Sequence, residues 1–357
     1  MNSNLKKILC LVMALACVFA LAACGGGNHD RQPAQGGSTE AESTGTVYKV
    51  GIVQFVDDAS LNQIEQNIEK ELNAKAAELG VTFDYTLYNG QADATTLQQI
   101  GAELVANQVD IIVPIATPAA QVMQAVTEDA GIPIVFSAVS DPVGAKLVDT
   151  LDAPGANITG TSDALNTEAV LNLMLAANPE LDYVGLLYSQ SEDSSKQPIA
   201  DAKAFLDSKG IRYIEKTGTN TDEVISAADA LVAEGVDAVF TPTDNTIMTA
   251  ELAIYEKFAD AGIPHYAGAD SFALNGAFAG YGVDYANLGV MTADMVVEIL
   301  VNGADPASYG VMTFDNGIVT VNTEICEALG FELDTIKTAF AELSTDFIEV
   351  TTAENFA

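Results

Sequence analysis

Short β-branched runs alternate along this chain with longer segments whose apolar residues recur at helical spacing. The runs Tyr48–Phe55, Thr82–Tyr88, Asp110–Ala116 and Ile132–Ala138 read as strands, and so do Tyr183–Tyr188, Arg212–Lys216, Ala238–Pro242 and Pro264–Ala267. Between them, Leu61–Leu79, Ala94–Asn107 and Asp222–Glu234 carry apolar positions three and four apart, the period of a helix with one buried face. Strand and helix in alternation predict βα units on parallel sheets, and therefore an α/β fold.

The two sets of runs repeat one another. Val50-Gly51-Ile52-Val53 is answered by Val184-Gly185-Leu186-Leu187, Val109-Asp110 by Val236-Asp237, and Ala130-Gly131-Ile132-Pro133 by Ala261-Gly262-Ile263-Pro264, at offsets of 134, 127 and 131. Three matches in order predict two similar Rossmann-like lobes. Open α/β sheets bind ligands beyond the carboxyl ends of their strands, so a cleft between the lobes would be lined by those ends. They read Gln54-Phe55, Thr117-Pro118, Ser137-Ala138-Val139, Tyr188-Ser189, Asp244-Asn245 and Asp270-Ser271, which are largely polar or conformationally special.

The N-terminus has a different character. Lys6 and Lys7 precede thirteen apolar residues, Ile8–Ala20, too few to span a bilayer and right for a secretory signal. Leu21-Ala22-Ala23-Cys24 then resembles a bacterial lipoprotein signal, which predicts cleavage after residue 23 and lipid, palmitate included, on Cys24. Loss of that segment leaves 12 basic against 50 acidic side chains, a net charge near −38. Such a surface argues against nucleic acid and against adhesion to anionic lipid, so the membrane is reached through the lipid anchor alone. Residues 24–46 are poor in anything to bury and read as a tether reaching ~26 Å as a coil. The stretch 344–357 reads as a loose tail. Of the four cysteines only Cys326 stays a thiol, on a helix expected over Thr323–Leu329 and directed into the core. The two histidines, His29 and His265, form no metal-ligand cluster.

Val50–Phe55, Ile115–Ala120, Phe136–Val143, Pro154–Gly160 and Pro242–Thr246 follow in that order within about Tyr48–Phe331. Together these segments resemble one family of ABC-transporter substrate-binding proteins, the tryptophan/tyrosine-type lipoproteins. The resemblance implies a type I periplasmic-binding-protein fold whose lobes are joined by three hinge crossings, near Asn157–Thr161, Tyr281–Asp284 and Met312–Asp315. Residues 47–158 with 284–313 then form lobe 1, and 159–283 with 314–343 form lobe 2. It also implies an aromatic amino acid as ligand, an ABC permease as partner, a monomer, and a place on the outer face of the cell membrane. The chain departs from the family at Val56-Asp57-Asp58-Ala59, where an acid, histidine and proline often stand.

A zwitterion needs donors for its carboxylate and an acceptor for its ammonium group. Thr117 reads as an N-cap with Pro118 in the first helical turn, turning the free N–H groups around Ala119 and the positive dipole end toward the cleft. Ser137, Ala138 and Val139 would add donors, the region where related amino-acid receptors hold the α-carboxylate. Asp270 and Asp244, the latter beside Asn245, are the candidates for the ammonium group, either of them alternatively a helix cap. Gln54 ends the first strand, and Phe55 and Tyr188 could stack on an aromatic ligand. No nucleophile elbow, phosphate loop or histidine paired with a nucleophile is present, so no enzyme and no cofactor is expected. A sugar or nucleoside receptor of the same fold, or a sensor passing occupancy to a receptor, are the alternatives.

Overall fold

In the computed structural model, which describes residues 45–356, the apolar runs become the central strands of two sheets. The signal segment, Cys24 and nearly all of the tether expected from the sequence lie outside the described residues. The first region runs β1 (Val47–Gln54), α1 (Ala59–Leu79), β2 (Thr82–Asn89), α2 (Ala94–Asn107), β3 (Ile111–Ile115), α3 (Thr117–Thr127), β4 (Ile134–Phe136) and β5 (Ile158–Ser162). The second runs α4 (Thr167–Ala177), β6 (Tyr183–Tyr188), α5 (Asp193–Lys209), β7 (Arg212–Thr217), α6 (Thr221–Glu234), β8 (Ala238–Thr241), α7 (Asn245–Met248) and α8 (Glu251–Asp260). It continues with β9 (His265–Ala267), α9 (Asp270–Leu274) and β10 (Ala279–Gly282). Then follow α10 (Tyr285–Leu300), β11 (Met312–Thr313), β12 (Ile318–Asn322), α11 (Thr323–Ala328), α12 (Leu333–Phe340) and β13 (Asp346–Val350).

The first sheet has the order β11-β5-β4-β3-β1-β2 and the second β13-β12-β10-β9-β8-β6-β7. Read from the β2 and β7 edges, the first five strands of each follow the same order, as the sequence repeats predict. All pairings are parallel except β10 with β12. All five residues of β3 are buried, as a strand covered on both faces requires. Each sheet reverses its strand order beside its first strand, and there the loops after neighbouring strands diverge and leave a crevice.

Local chemistry sets the helix boundaries. Asp58 caps α1 by accepting from the N–H groups of Ser60 and Leu61, and Gly80, in the left-handed region at φ 68°, ends it. Ile64, Ile68 and Leu72 form its buried stripe. α10 lies against α1 so closely that a Cβ on Gly289 would stand 2.4 Å from the Ile64 carbonyl oxygen. In the second region Tyr266 and Phe278 meet edge to face at 5.3 Å within a core that includes Phe240 and Phe340. Cys326 is buried there on α11.

The chain passes between the sheets three times. β5 stays paired in the first sheet as far as Ser162, so the first passage lies between Ser162 and Thr167 rather than at Asn157–Thr161, and residues 159–162 belong to the first sheet. The second passage is at residues 283–284, between β10 and α10, and the third at 314–317, between β11 and β12. The C-terminus also differs from the expected loose tail. Asp346–Val350 adds an edge strand parallel to β12, its short half-exposed alternation being too weak a signal to read alone. Thr352 Oγ1 then accepts from Asn322 Nδ2, and the Ala353 N–H donates to the Leu274 carbonyl.

Candidate functional site

The carboxyl ends of the two sheets face each other across a narrow, nearly filled cavity of about 20 Å³. From the first lobe it is lined by Ser60 and Leu61 of α1, Ala116 and Thr117 after β3, and Ala138 and Ser140 after β4. From the second come Ser194, Thr243, Asn245, Met248 and Ala269, while Asp163 and Tyr285 stand at two of the interlobe passages.

The start of α3 forms one end of this cavity. Ala116, not Thr117, occupies the cap position, and no side chain caps the helix. Ala116 has φ 79° and ψ 153°, a region almost reserved for glycine, and Ala138 has φ 53°. Two non-glycine residues held at positive φ on one cavity wall mark backbone strain at this site. The uncapped first turn of α3 thus stands at the cavity with its free backbone N–H groups and positive dipole end, chemistry suited to an anion.

Asp163 provides the opposite charge. It is buried, and Ser140 Oγ donates to its Oδ1 at 2.9 Å. Burial pushes its carboxyl up from the ordinary value, against the hydrogen bonds of Ser140, its own backbone and Tyr285. Asp58 is buried nearby, and Asp270 is half-buried. Burial raises Asp58 to about 7 despite its helix-cap bonds, with the charge of Asp270 a lesser cause. The Tyr285 phenol is raised by burial and then by the fields of Asp163, Asp270 and Asp58. Among the described residues none of these three carboxylates is in an ion pair.

Of the residues expected from the sequence, Thr117, Ala138 and Asn245 line the cavity. Pro118 and Ala119 stand behind Thr117 in the first turn of α3. Ser137 turns away, its hydroxyl 2.8 Å from that of Thr292 on α10, and Val139 is buried in the first-lobe core. Phe55 is also core. Gln54 donates to the Val56 carbonyl and to Asn62 Oδ1, bracing the loop that departs from the family pattern. Tyr188 points to the far edge, donating to Glu215. Asp244 is a cap, as its alternative reading had it, accepting from the N–H groups of Ser189 and Ile247 and from Ser195 Oγ. Burial, then the charge of Glu192, raises Asp244 to about 7. Asp270 lies between the lobes, with Ser60 Oγ donating to Oδ1 and Gln63 Nε2 to Oδ2. Asp163, Ser140 and Tyr285 escaped the sequence reading, although a lone acid just beyond a strand at a passage between lobes is a signal for Asp163.

Further bonds join the lobes. Gln121 on α3 donates to Asp193 on α5 at 2.7 Å, and the Ser140 and Thr243 hydroxyls are 3.2 Å apart. At the mouth, Asn62 of α1 donates to Asn355 Oδ1 at 3.1 Å, so the C-terminal segment fixed to the second lobe reaches over to the first. The lobes are closed on each other.

A bilobed fold shut on a cavity at its two switch points, with donors for an anion at one end and a carboxylate at the other, defines a ligand-capturing binding protein. The chain belongs to the ABC transporter substrate binding protein family, which matches residues 49–339. This is a family of binding proteins, not enzymes, and its fold is that of the type I periplasmic binding proteins. The chain is 31% identical over 329 residues to a tyrosine-binding protein of Clostridioides difficile (strain R20291), covering 92% of this chain and 93% of that one. An ABC domain in complex with L-Trp from Streptococcus pneumonia is similar at 32% identity with a TM-score of 0.77, covering 85% of this chain and all of that one. A substrate-binding protein with adhesive properties from Clostridium difficile, in its ligand-free, open structure, matches at the same 32% identity with a TM-score of 0.65, covering 86% of this chain and all of that one. At equal identity and near-equal coverage the likeness is greater to the ligand-bound structure, in keeping with the bonds between the lobes.

Proposed function

We propose that this chain is the lipid-anchored, extracytoplasmic solute-binding component of an ABC importer and captures a zwitterionic aromatic amino acid. The observation that carries this reading is the pairing of the uncapped start of α3 with the buried, unpaired carboxylate of Asp163 in one cavity. The first suits an α-carboxylate and the second an α-ammonium group. An ammonium group beside Asp163 would give that carboxylate the counter-charge its burial lacks, which makes the interaction selective for zwitterions. Leu61, Met248 and Tyr285 offer the apolar surface for a side chain. Tyrosine and L-Trp, the ligands of two of the relatives, agree with this chemistry. An amino acid of that size needs more room than this cavity of about 20 Å³ offers, so the lobes would stand slightly further apart around it.

Capture then works by population shift. The ligand bridges two walls that belong to different lobes, favours the closed form, and the membrane permease reads closure. Lipid on Cys24 would keep the protein at the membrane, two or more acyl chains sufficing for stable attachment.

Calorimetry of the mature chain against L-tyrosine, L-tryptophan, their deaminated acids, a nucleoside and a hexose tests the ligand class. The expected result is binding of the aromatic amino acids, much weaker binding of the deaminated acids, and none of the neutral ligands. Firm binding of the nucleoside or hexose with none of an amino acid would overturn the reading. Replacing Cys24 by serine should abolish partition into the detergent phase; retention there would overturn the anchor.

A further inference from the structure

We propose that Asp270 is a positioning residue for closure, a latch carried by the second lobe and caught by α1 of the first, and that it does not touch the ligand. Its two carboxylate oxygens are both engaged across the cleft, Oδ1 by the hydroxyl of Ser60 and Oδ2 by the amide of Gln63 at 2.9 Å. These partners lie one turn apart on α1, and they stand 210 and 207 positions away in sequence. Ser60 is used twice, since its oxygen also accepts from the Ser271 N–H at 3.2 Å. One hydroxyl of the first lobe therefore joins the side chain of Asp270 and the backbone that follows it.

Asp270 does not line the cavity, whereas its chain neighbour Ala269 and its partner Ser60 do. The latch stands directly behind the ligand's place. Moving the lobes apart breaks all three bonds together and returns the carboxylate to water, so they contribute only when the cleft is shut. Hydrogen bonds to an ionised group are the stronger class, and each lost here shifts the balance toward the open form. Burial pushes the Asp270 carboxyl up and Ser60 and Gln63 draw it back down, as expected of a desolvated acid held by neutral donors. A residue with this role alters affinity through the fraction of closed protein, and so affects every ligand by the same factor.

The inference rests on the proposed ligand class only for its probes. Asp270→Asn and Gln63→Ala are compared with the unaltered mature chain, using L-tyrosine and its deaminated acid, by calorimetry and stopped-flow. Both variants should weaken both ligands by a common factor of about 10–100, mainly through faster release. A double-mutant cycle should show the two changes to be non-additive. Small-angle scattering of the ligand-free variants should give a larger radius of gyration than the unaltered protein, a readout that needs no ligand. Loss confined to L-tyrosine in Asp270→Asn would overturn the latch and make Asp270 the ammonium acceptor. Unchanged radius together with unchanged release rate would overturn it as well. If the unaltered chain binds no amino acid, the ligand class fails, and the latch is still decided by the ligand-free radius.

Discussion

Ser140 and Asp163 face each other at 2.9 Å from the ends of adjacent strands, the hydroxyl of one holding the carboxylate of the other against the cavity. This bond orients Asp163 without giving it a counter-charge, which the proposed function assigns to the ligand's ammonium group. Asp163→Asn is therefore expected to weaken L-tyrosine binding by about 2–5 kcal/mol, the range for truncating one partner of a buried charge pair. The deaminated acid should lose far less. Calorimetry with both ligands checks this, and equal losses would remove Asp163 from the ammonium site.

Ala116 sits at φ 79° where α3 begins, and an L-residue there costs about 1–3 kcal/mol. Ala116→Gly should be neutral or stabilising by up to about 1 kcal/mol, relief of strain being partly offset by the greater freedom of glycine when unfolded. Ala116→Val should destabilise by about 1–3 kcal/mol and weaken binding as well, since its branches enter the cavity. Denaturant unfolding of the three proteins would settle the order, and a Val variant as stable as the Gly variant would contradict it.

Asp58, Glu65 and Asp244 are each raised to about 7, mainly by burial. The folded chain therefore holds these protons more tightly than the unfolded one. The stability they allow is complete below the ordinary carboxylate range and is lost as pH rises through about 7. Asp93, Asp193, Glu215 and Glu223 are shifted down by their hydrogen bonds, and their contribution disappears only in more acid solution. Thermal stability should consequently increase as pH falls from 8 to 5. Asp58→Asn, which keeps the cap on α1, should flatten that rise. A melting temperature that falls over this interval would refute the expectation.

The C-terminal segment holds the mouth of the cleft from outside. Asn62 receives Gln54 Nε2 and donates to both Asp57 and Asn355, so the strap is tied to the end of β1 through one amide. Truncation after residue 351, or Asn62→Ala, should speed ligand release a few-fold, because an exposed neutral bond contributes ~1 kcal/mol. Stopped-flow release of L-tyrosine measures it. Release at the unaltered rate in both variants would show the strap to be passive.

Much of this architecture is legible in the alternation of apolar runs, because buried parallel strands have little freedom in composition. β1, β3, β6 and β8 fall within a residue or two of their expected positions. Of the later strands, β11 is two residues long and β13 is half exposed, and neither carries such a pattern. For the site, strand ends point to the right loops but not to the right atoms. Ser137 and Ser140 are three residues apart, yet the turn at Ala138, φ 53°, sends one hydroxyl to Thr292 and the other to Asp163. Asp244 and Asp163 both follow strands. Only the N–H of Ile247, three residues on, claims the first as a cap. Asp270 is held by Ser60 and Gln63, more than two hundred positions away, and no local pattern foretells such a meeting.

Because the polypeptide passes between the sheets three times, neither lobe is a continuous stretch of chain. α10 and β11 are made after strands β6 to β10 of the second sheet have emerged, yet they complete the first lobe. During synthesis the first lobe must wait, with the face of α1 that receives α10 uncovered until residue 300 is available. A single nick at any one passage would leave the halves joined by two others. The same threading makes each passage a natural place to open a circular permutant, and makes separate expression of either lobe from one uninterrupted gene segment impossible.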